Sequence, residues 1–181
     1  MIIVVSGTHA CGKTSLIDAF ATAQPQARVL PDPFEVLDQY QTDQGAGIFY
    51  QQLEIAAARI LEPHVGLVIA ERGPLDFLAY LDALERLERP TPSREHFRQG
   101  TDLCVEAMKN VDLVVLLPLN STDRIDVPAD EDPDLRTAMD EALLELADDP
   151  DLTGRAEVVE LAGASEVRLV QLERLVALFG D

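Results

Sequence analysis

The chain begins MIIVVSGTHACGKTS, residues 1–15, and this stretch decides the fold. The β-branched run Ile2–Ser6 is typical of a strand that is buried on both of its faces. Residues 7–14 follow at once and match the pattern G-x-x-x-x-G-K-[ST]. Lys13–Ala23 then carries apolar residues at helical spacing. A strand, a glycine-bounded loop and a helix in this order predict a phosphate-binding loop.

The predicted loop supplies backbone donors and one cation at fixed spacing. Gly7 and Gly12 let the backbone curl so that successive N–H groups point inward, and the helix that follows adds the positive end of its dipole. Lys13 reaches the β- and γ-phosphates, and the Thr14 hydroxyl binds Mg²⁺. We therefore expect a nucleoside triphosphate here. The candidate nucleotide-binding residues of the loop are Gly7, Thr8, His9, Ala10, Cys11, Gly12, Lys13, Thr14 and Ser15, with His9 and Cys11 taken as spacers.

Strands and helices alternate along the rest of the chain. Further apolar runs predict four strands, at Ala27–Leu30, Val65–Ala70, Val111–Leu117 and Ala156–Leu161. The intervening segments predict helices at Gly47–Leu61, Leu75–Leu87, Ser93–Lys109, around Leu135–Leu146, and at Ser165–Phe179. This alternation predicts one domain over residues 1–181, a three-layer α/β/α fold with a five-stranded parallel sheet.

Polar residues follow two of the strands, where ligands of open parallel sheets collect. Asp32 stands between two prolines and can accept a proton from a substrate hydroxyl, or can simply form a proline turn. Glu71 can hold Mg²⁺ or act as the base itself, and Arg72 can clamp a phosphate or substrate oxygen. The alternative for these two is a structural ion pair at the sheet edge. Asp76 is expected to act as a helix N-terminal charge.

A candidate lid covers residues 119–150, between strands four and five. Its cations between Pro118 and Pro150 are Arg124 and Arg136, which stand among many acidic residues. The alternative without a catalytic role is a solvated acidic loop with incidental ion pairs. A lid would close its arginines over the transferring phosphoryl group, and Arg136, which opens a helix, is the favoured catalytic arginine.

Aromatic and carboxamide side chains at the start of the second predicted helix are candidates for recognising a nucleobase. Tyr50, Gln51 and Gln52 can stack on and hydrogen-bond such a base, although core packing with solvent-facing glutamines explains the same pattern. Phe34, two residues after Asp32, joins these substrate-binding candidates.

The composition restricts the partners. The formal net charge is -19, which repels nucleic-acid backbones and anionic membranes, so we expect neither as a partner. Lysine occurs only at Lys13 and Lys109, a bias that suits either a high-salt proteome or a GC-rich genome. The two cysteines have no metal-binding spacing, and the N-terminal apolar run is too short for a membrane span. We expect a cytoplasmic protein that acts on a small molecule, as a monomer or a homodimer.

These residues together resemble the nucleoside-kinase branch of the P-loop phosphotransferases over nearly the whole chain. Glu71-Arg72 is similar to the acidic–Arg pair of deoxynucleoside and thymidylate kinases. The run from Glu71 to Tyr80 resembles the AAA-type family that contains ribosylnicotinamide kinase domains. Pro31-Asp32-Pro33 lies where deoxynucleoside kinases carry a Glu-Pro proposed as base, and Tyr50, Gln51 and Gln52 with Arg59 resemble their base-binding helix.

The resemblance implies ATP with Mg²⁺ and a small hydroxyl or phosphate acceptor. It also implies that Gly163 and Ala164, after strand five, wrap the adenine. Three departures leave the acceptor open: Asp instead of Glu at position 32, Gly73 instead of a serine, and an acidic lid.

Two functions follow from the residues and the resemblance. The first is a small-molecule kinase in which Asp32 or Glu71 takes the proton while Lys13, Mg²⁺, Arg72 and Arg136 neutralise charge; a nucleoside-like acceptor is preferred. The second is a regulatory P-loop NTPase that hydrolyses slowly and acts through a protein partner. Because the chain lacks an Asn-Lys-x-Asp guanine-reading motif, a GTPase is disfavoured.

Overall fold

A computed structural model describes residues 1–37, 45–119 and 132–179 of the chain. Strands and helices alternate through these residues as the sequence predicts. The strands are β1 Ile2–Ser6, β2 Arg28–Leu30, β3 Val68–Glu71, β4 Leu113–Leu116 and β5 Glu157–Glu160. The α-helices are α1 Lys13–Ala23, α2 Ala46–Leu61, α3 Pro74–Arg86, α4 Ser93–Met108, α5 Pro133–Ala147, α6 Pro150–Thr153 and α7 Ser165–Phe179, and a short 3₁₀ helix spans Pro33–Val36.

The five strands form one sheet in the order β2-β3-β1-β4-β5. Every neighbouring pair is parallel, with Val4 opposite Ala70 on one side and opposite Val114 on the other. The predicted five-stranded parallel sheet is therefore confirmed. Because β1 is central and leads into the phosphate loop, that loop lies in the middle of the edge formed by the carboxyl ends of the strands.

Helices cover both faces of the sheet, as the continuous apolar strands require. Successive side chains of a strand point to opposite faces. Ile2 and Val4 accordingly belong to a core shared with α2, α3, α4 and α5, whereas Ile3 and Val5 belong to a second core shared with α1 and α7. Helix α3 is the most deeply covered, since ten of its residues are buried, including a carboxylate, Asp76.

The third strand lies later in the chain than its apolar run suggested. The sequence predicted Val65–Ala70, but β3 spans Val68–Glu71, and Val65 is 98% exposed. A left-handed turn at Gly66 (φ 78°) brings the chain round before the strand begins. Glu71 is consequently paired within the sheet, opposite Val5, instead of following the strand.

Two short helices were not predicted, and an Asp-Pro pair begins each of them. Asp32 accepts a hydrogen bond from the Phe34 N–H at the start of the 3₁₀ helix, and Asp149 accepts one from the Asp151 N–H at the start of α6. An aspartate N-cap followed by proline is a recognised helix start. The same signal at Asp132 begins α5, so the sequence did contain the information for both short helices.

The second half of the candidate lid is a packed helix. Leu135, Met139 and Leu143 of α5 are buried in the core that also holds α3. Asp140 of α5 accepts the N–H of Leu119, which joins the two described ends of the candidate lid. Residues 120–131 lie outside the described residues, so a lid there stays a prediction. No helix in the described ranges has both the length and the apolarity that a membrane crossing requires.

Replacing Gly73 with alanine tests the packing of the β3–α3 turn on the central strand. A Cβ at this position would lie 2.8 Å from Cγ1 of Val4, a β-branched side chain with little freedom to move. We expect Gly73→Ala to lower the free energy of unfolding by about 1–3 kcal/mol in urea denaturation. Gly47→Ala in α2 is the matched control, since its Cβ would meet no atom within 4 Å. Equal unfolding midpoints for the two variants would contradict this packing.

Candidate active site

The loop between β1 and α1 contains residues with positive φ, the kind of backbone that forms anion-binding nests. Ala10 and Gly12 adopt left-handed conformations, with φ of 49° and 92°. Gly7 is required by space, because a Cβ there would lie 2.7 Å from Cys11 Sγ and 2.9 Å from the Leu117 carbonyl oxygen. The loop backbone is therefore curled as the sequence predicts, and its binding of phosphate stays a prediction.

The buried carboxylate of Asp76 holds this loop to the rest of the site. Its oxygens accept hydrogen bonds from the Ser6 hydroxyl (2.7 Å), the Gly7 N–H (2.9 Å) and the Gly73 N–H (2.9 Å). Burial raises the pKa of Asp76, while Arg72 and these hydrogen bonds act in the opposite direction. The predicted helix N-terminal role is present, since Asp76 lies in the first turn of α3. The carboxylate does more than this, because it joins β1, the loop and the β3–α3 turn.

Lys13 and Thr14 lie at the mouth of the loop. The Lys13 side chain is buried, and its ammonium donates to the Thr8 carbonyl at 2.8 Å. Burial lowers the pKa of Lys13. The Thr14 hydroxyl donates to Glu71 Oε1 at 2.8 Å. Burial raises the pKa of Glu71, and the hydrogen bond from Thr14 opposes this shift. The two residues predicted to hold Mg²⁺ are thus in direct contact.

Arg72 and Asp32 meet at the ends of the neighbouring strands. Arg72 Nε lies 3.4 Å from Asp32 Oδ2, and Arg72 is buried. Its backbone is left-handed, with φ of 62°, a conformation that is rare for non-glycine residues and concentrated at functional sites. The turn is secured by a hydrogen bond from the Arg72 N–H to the Val5 carbonyl. Three predicted site residues, Asp32, Glu71 and Arg72, are therefore brought together beside the loop.

Tyr80 of α3 is a site residue that sequence reasoning did not assign. The Arg72 guanidinium carbon lies 5.4 Å from the centre of its ring, which is a cation–π contact. The Tyr80 ring also stacks on Phe49, with ring centres 4.4 Å apart and an interplanar angle of 6°. The hydroxyl lies 2.9 Å from His9 Nδ1. Tyr80 lies one turn after Asp76 on α3, so the two residues share a face of the helix. This i, i+4 spacing is the feature of the sequence that could have placed Tyr80 at the site.

His9 is more than a spacer in the loop. Loss of water around its ring, followed by the charge of Arg72, lowers the pKa of His9 to about 4, although the residue as a whole is exposed. The imidazole is therefore neutral at neutral pH, and we assign Nδ1 as the acceptor of the Tyr80 hydroxyl.

Arginines from two later helices hold the outer side of the loop. Arg136 of α5 donates from Nε to the His9 carbonyl (2.9 Å) and from Nη2 to the Ala10 carbonyl (3.2 Å). Arg168 of α7, which the sequence did not single out, donates from Nη1 to the Cys11 carbonyl at 2.8 Å. Arg136 therefore contacts the loop that it was predicted to serve, through backbone carbonyls.

A cavity of about 480 Å³ opens from the loop toward α7. Gly163 and Ala164, the residues expected to wrap a base, form its wall together with Ser165. The loop side of the cavity is lined by Ala10, Cys11, Gly12, Lys13, Thr14 and Ser15. The structure therefore brings the predicted phosphate-binding and base-binding residues to one cavity.

The predicted substrate residues of α2 point in different directions. Tyr50 stacks on His96 of α4 at 4.9 Å, Gln51 is exposed and Gln52 is buried. The aromatic side chain of α2 that faces Tyr80 is Phe49. Phe34, by contrast, is 59% exposed directly beside Asp32. Arg124, predicted to bind the nucleotide, lies outside the described residues.

The donor set suits a magnesium ion better than a transition metal. A hydroxyl and a carboxylate, from Thr14 and Glu71, are hard oxygen ligands, and Mg²⁺ completes its shell with waters and phosphate oxygens. In the described part of the chain no three His, Cys, Asp or Glu side chains cluster in a way that could hold a metal by themselves. The residues present therefore fit Mg²⁺ held jointly with a nucleotide.

Comparison with known proteins identifies the fold and a family. The family described as an AAA domain matches residues 2–168. A search of the curated proteins finds no match. Among solved structures, a thymidylate kinase from Candida albicans is 14% identical, with a TM-score of 0.67 over 99% of this chain and 92% of that chain.

A deoxyadenosine kinase from M. mycoides gives a similar result. Its structure with the products dCMP and dCDP is 12% identical, with a TM-score of 0.70 over 99% of this chain and all of that chain. Its structure with bound dATP is 13% identical, with a TM-score of 0.66 over 98% of this chain and 100% of that chain. The fold is thus that of the P-loop nucleoside and nucleotide kinases.

Asp76→Asn tests the carboxylate that joins the loop to α3. Asparagine has one acceptor oxygen and brings an amide donor toward groups that already donate, so at least one buried N–H or O–H loses its partner. We expect a loss of about 2–4 kcal/mol in the free energy of unfolding. Asp82→Asn on the same helix is the control, because Asp82 pairs with Arg86 near the surface. A loss no larger than that of the control would contradict the role of Asp76.

Proposed function

Because the chain belongs to this AAA domain family, we propose that it is an ATP-dependent kinase that phosphorylates a hydroxyl of a nucleoside or nucleoside-like metabolite. One observation carries the proposal. Two carboxylates and an arginine, Glu71, Asp32 and Arg72, meet beside a phosphate loop, with Glu71 bonded to Thr14 and Asp32 paired with Arg72. The Asp32–Arg72 pair can serve a phosphate acceptor, a role that a protein which only binds a nucleotide does not require.

The nucleotide lies along the loop in this proposal. Its phosphates accept hydrogen bonds from the N–H groups of the loop and from the Lys13 ammonium, which gives up its bond to the Thr8 carbonyl. Its base lies against Gly163 and Ala164. Thr14 and Glu71 hold Mg²⁺, which when bound supplies positive charge against the transferring phosphoryl group. Because the Lys13 side chain is buried, its attraction to the charge of the phosphoryl group would be stronger than in water.

The acceptor enters beside Asp32. Glu71 is already bonded to Thr14 on the metal side, whereas Asp32 lies next to the exposed ring of Phe34. We therefore assign Asp32 as the base. It takes the proton of the acceptor hydroxyl as the oxygen bonds to the γ-phosphorus and ADP leaves. Arg72 orients the Asp32 carboxylate and faces the developing charge, and Arg136 adds a second positive charge from the loop side.

An acceptor without a phosphate of its own fits the charges around Asp32. In the described residues the Arg72 guanidinium forms an ion pair with Asp32 at 3.4 Å, and Arg59 donates to the Pro31 carbonyl, so the positive charge beside Asp32 is partly compensated. The exposed aromatic ring of Phe34 suits a flat base. The deoxyadenosine kinase with a similar fold is named for such an acceptor, and the thymidylate kinase for a nucleotide.

Release of ADP from Mg-ATP is the first test of this function. The purified protein is assayed alone and then with pools of nucleosides, nicotinamide riboside, nucleotides, and amino or sugar alcohols. We expect release that depends on a nucleoside-like acceptor, and loss of that release in Lys13→Ala without a change in the unfolding temperature. One slow rate with every pool would instead support a regulatory NTPase that acts through a protein partner.

Two carboxylate variants then separate the base from the metal ligand. Asp32→Asn should lower kcat by about 10²–10⁴-fold at saturating Mg²⁺ while the affinity for ATP is retained. Glu71→Gln should raise the Mg²⁺ concentration needed for half-maximal activity. Asp18→Asn, on the exposed side of α1, is the control and should match the unmodified protein. The opposite pattern in the two variants would make Glu71 the base.

A further inference from the structure

Four consecutive carbonyl groups of the phosphate loop accept hydrogen bonds from cationic side chains. Lys13 binds the Thr8 carbonyl, Arg136 binds those of His9 and Ala10, and Arg168 binds that of Cys11. Lys13 belongs to α1 and lies on the side proposed to face the phosphates, whereas the two arginines reach the loop from α5 and α7.

Holding a carbonyl also orients the N–H group of the next residue. In a planar trans peptide the C=O and the following N–H point in opposite directions. Arg136 therefore fixes the N–H groups of Ala10 and Cys11, and Arg168 fixes that of Gly12. Ala10, Cys11 and Gly12 line the cavity beside the loop, as does Arg168 itself, so the two arginines set the direction of donors that border the proposed nucleotide site.

The peptide between Cys11 and Gly12 is the one that most needs this restraint. Rotation of a peptide plane changes ψ of the first residue and φ of the second, and glycine accepts either sign of φ. Gly12 has φ of 92°, and no Cβ opposes a flip. Flipping would aim the Cys11 carbonyl, an acceptor, at the phosphates. The bond from buried Arg168 opposes that flip.

We propose that Arg168 is a positioning residue that holds the Gly12 N–H toward the nucleotide phosphates. Arg168 also lies in the first turn of α7, and its N–H donates to the Ala164 carbonyl. It therefore links the wall proposed to hold the base to the loop proposed to hold the phosphates. This inference rests on the proposed function only in that the loop must bind a phosphate-bearing nucleotide.

Calorimetric titration of two probes, ADP and inorganic tripolyphosphate, tests the proposal. In Arg168→Met both affinities should fall by roughly tenfold to a hundredfold, the effect of losing a hydrogen bond to a charged group. An equal loss for both probes is expected, because the effect acts on phosphate binding. Arg168→Lys retains a donor and should recover each affinity to within about threefold of the unmodified protein. Arg174→Met, at an exposed position of α7, is the matched control and should bind both probes normally.

Each contrary outcome has a distinct meaning. Unmodified protein that binds neither probe would contradict the proposed function. Normal affinities in Arg168→Met would contradict the positioning role of Arg168 and leave the proposed function intact. A loss confined to ADP would mean that Arg168 acts on the nucleoside part of the ligand, and would also contradict that role. A Lys variant as weak as the Met variant would also overturn the positioning role. If Arg168→Met does not fold, Arg168→Leu, which also lacks a donor, replaces it, with the same expected loss and the same contrary result.

Discussion

The site depends on one buried carboxylate, that of Asp76. Its oxygens hold the end of β1, the first residue of the phosphate loop and the turn that follows β3, through Ser6, Gly7 and Gly73. Such a group is costly to bury unless every oxygen is satisfied, and here three donors surround it. Because these donors come from two distant parts of the chain, residues 6–7 and Gly73, the carboxylate fixes the loop relative to Arg72 and α3 before any ligand binds.

The distribution of charge is compatible with the proposed binding of a nucleotide by so acidic a protein. The chain carries a formal net charge of -19, which opposes the approach of a phosphate. Four cationic side chains, those of Lys13, Arg72, Arg136 and Arg168, nevertheless surround the loop. At short range in a partly buried site these contacts outweigh the diffuse repulsion, which salt screens over about 10 Å. Arg136 and Arg168 use backbone carbonyls of the loop, so they strengthen the site through its geometry as well as through their charge.

On the side proposed to bind the acceptor, the packing of the helices differs from what the residue pattern predicted. On α2 the aromatic residue that reaches the α3 side is Phe49, one position before the predicted Tyr50, and adjacent residues of a helix point about 100° apart. Neither the period of α2 nor its composition distinguishes the two rings. Tyr80 selects Phe49, since its ring stacks on Phe49 and also lies 5.4 Å from the Arg72 guanidinium carbon. Asp32 and Phe34, which share a tight Asp-Pro helix start, stay together as the local sequence requires.

The sequence by itself determined the strand–loop–helix at its start, the parallel sheet and the candidate residues at the ends of β1, β2 and β3. These features depend on local rules: β-branched runs, glycine spacing and Asp-Pro helix starts act over a few residues. Only the tertiary structure decided that Tyr80 meets His9, that Arg168 holds the Cys11 carbonyl, and that Arg136 reaches the loop. Those contacts join residues 71 to 157 positions apart. They exist because α3, α5 and α7 pack beside one edge of the sheet, and no local pattern encodes which side chains meet there.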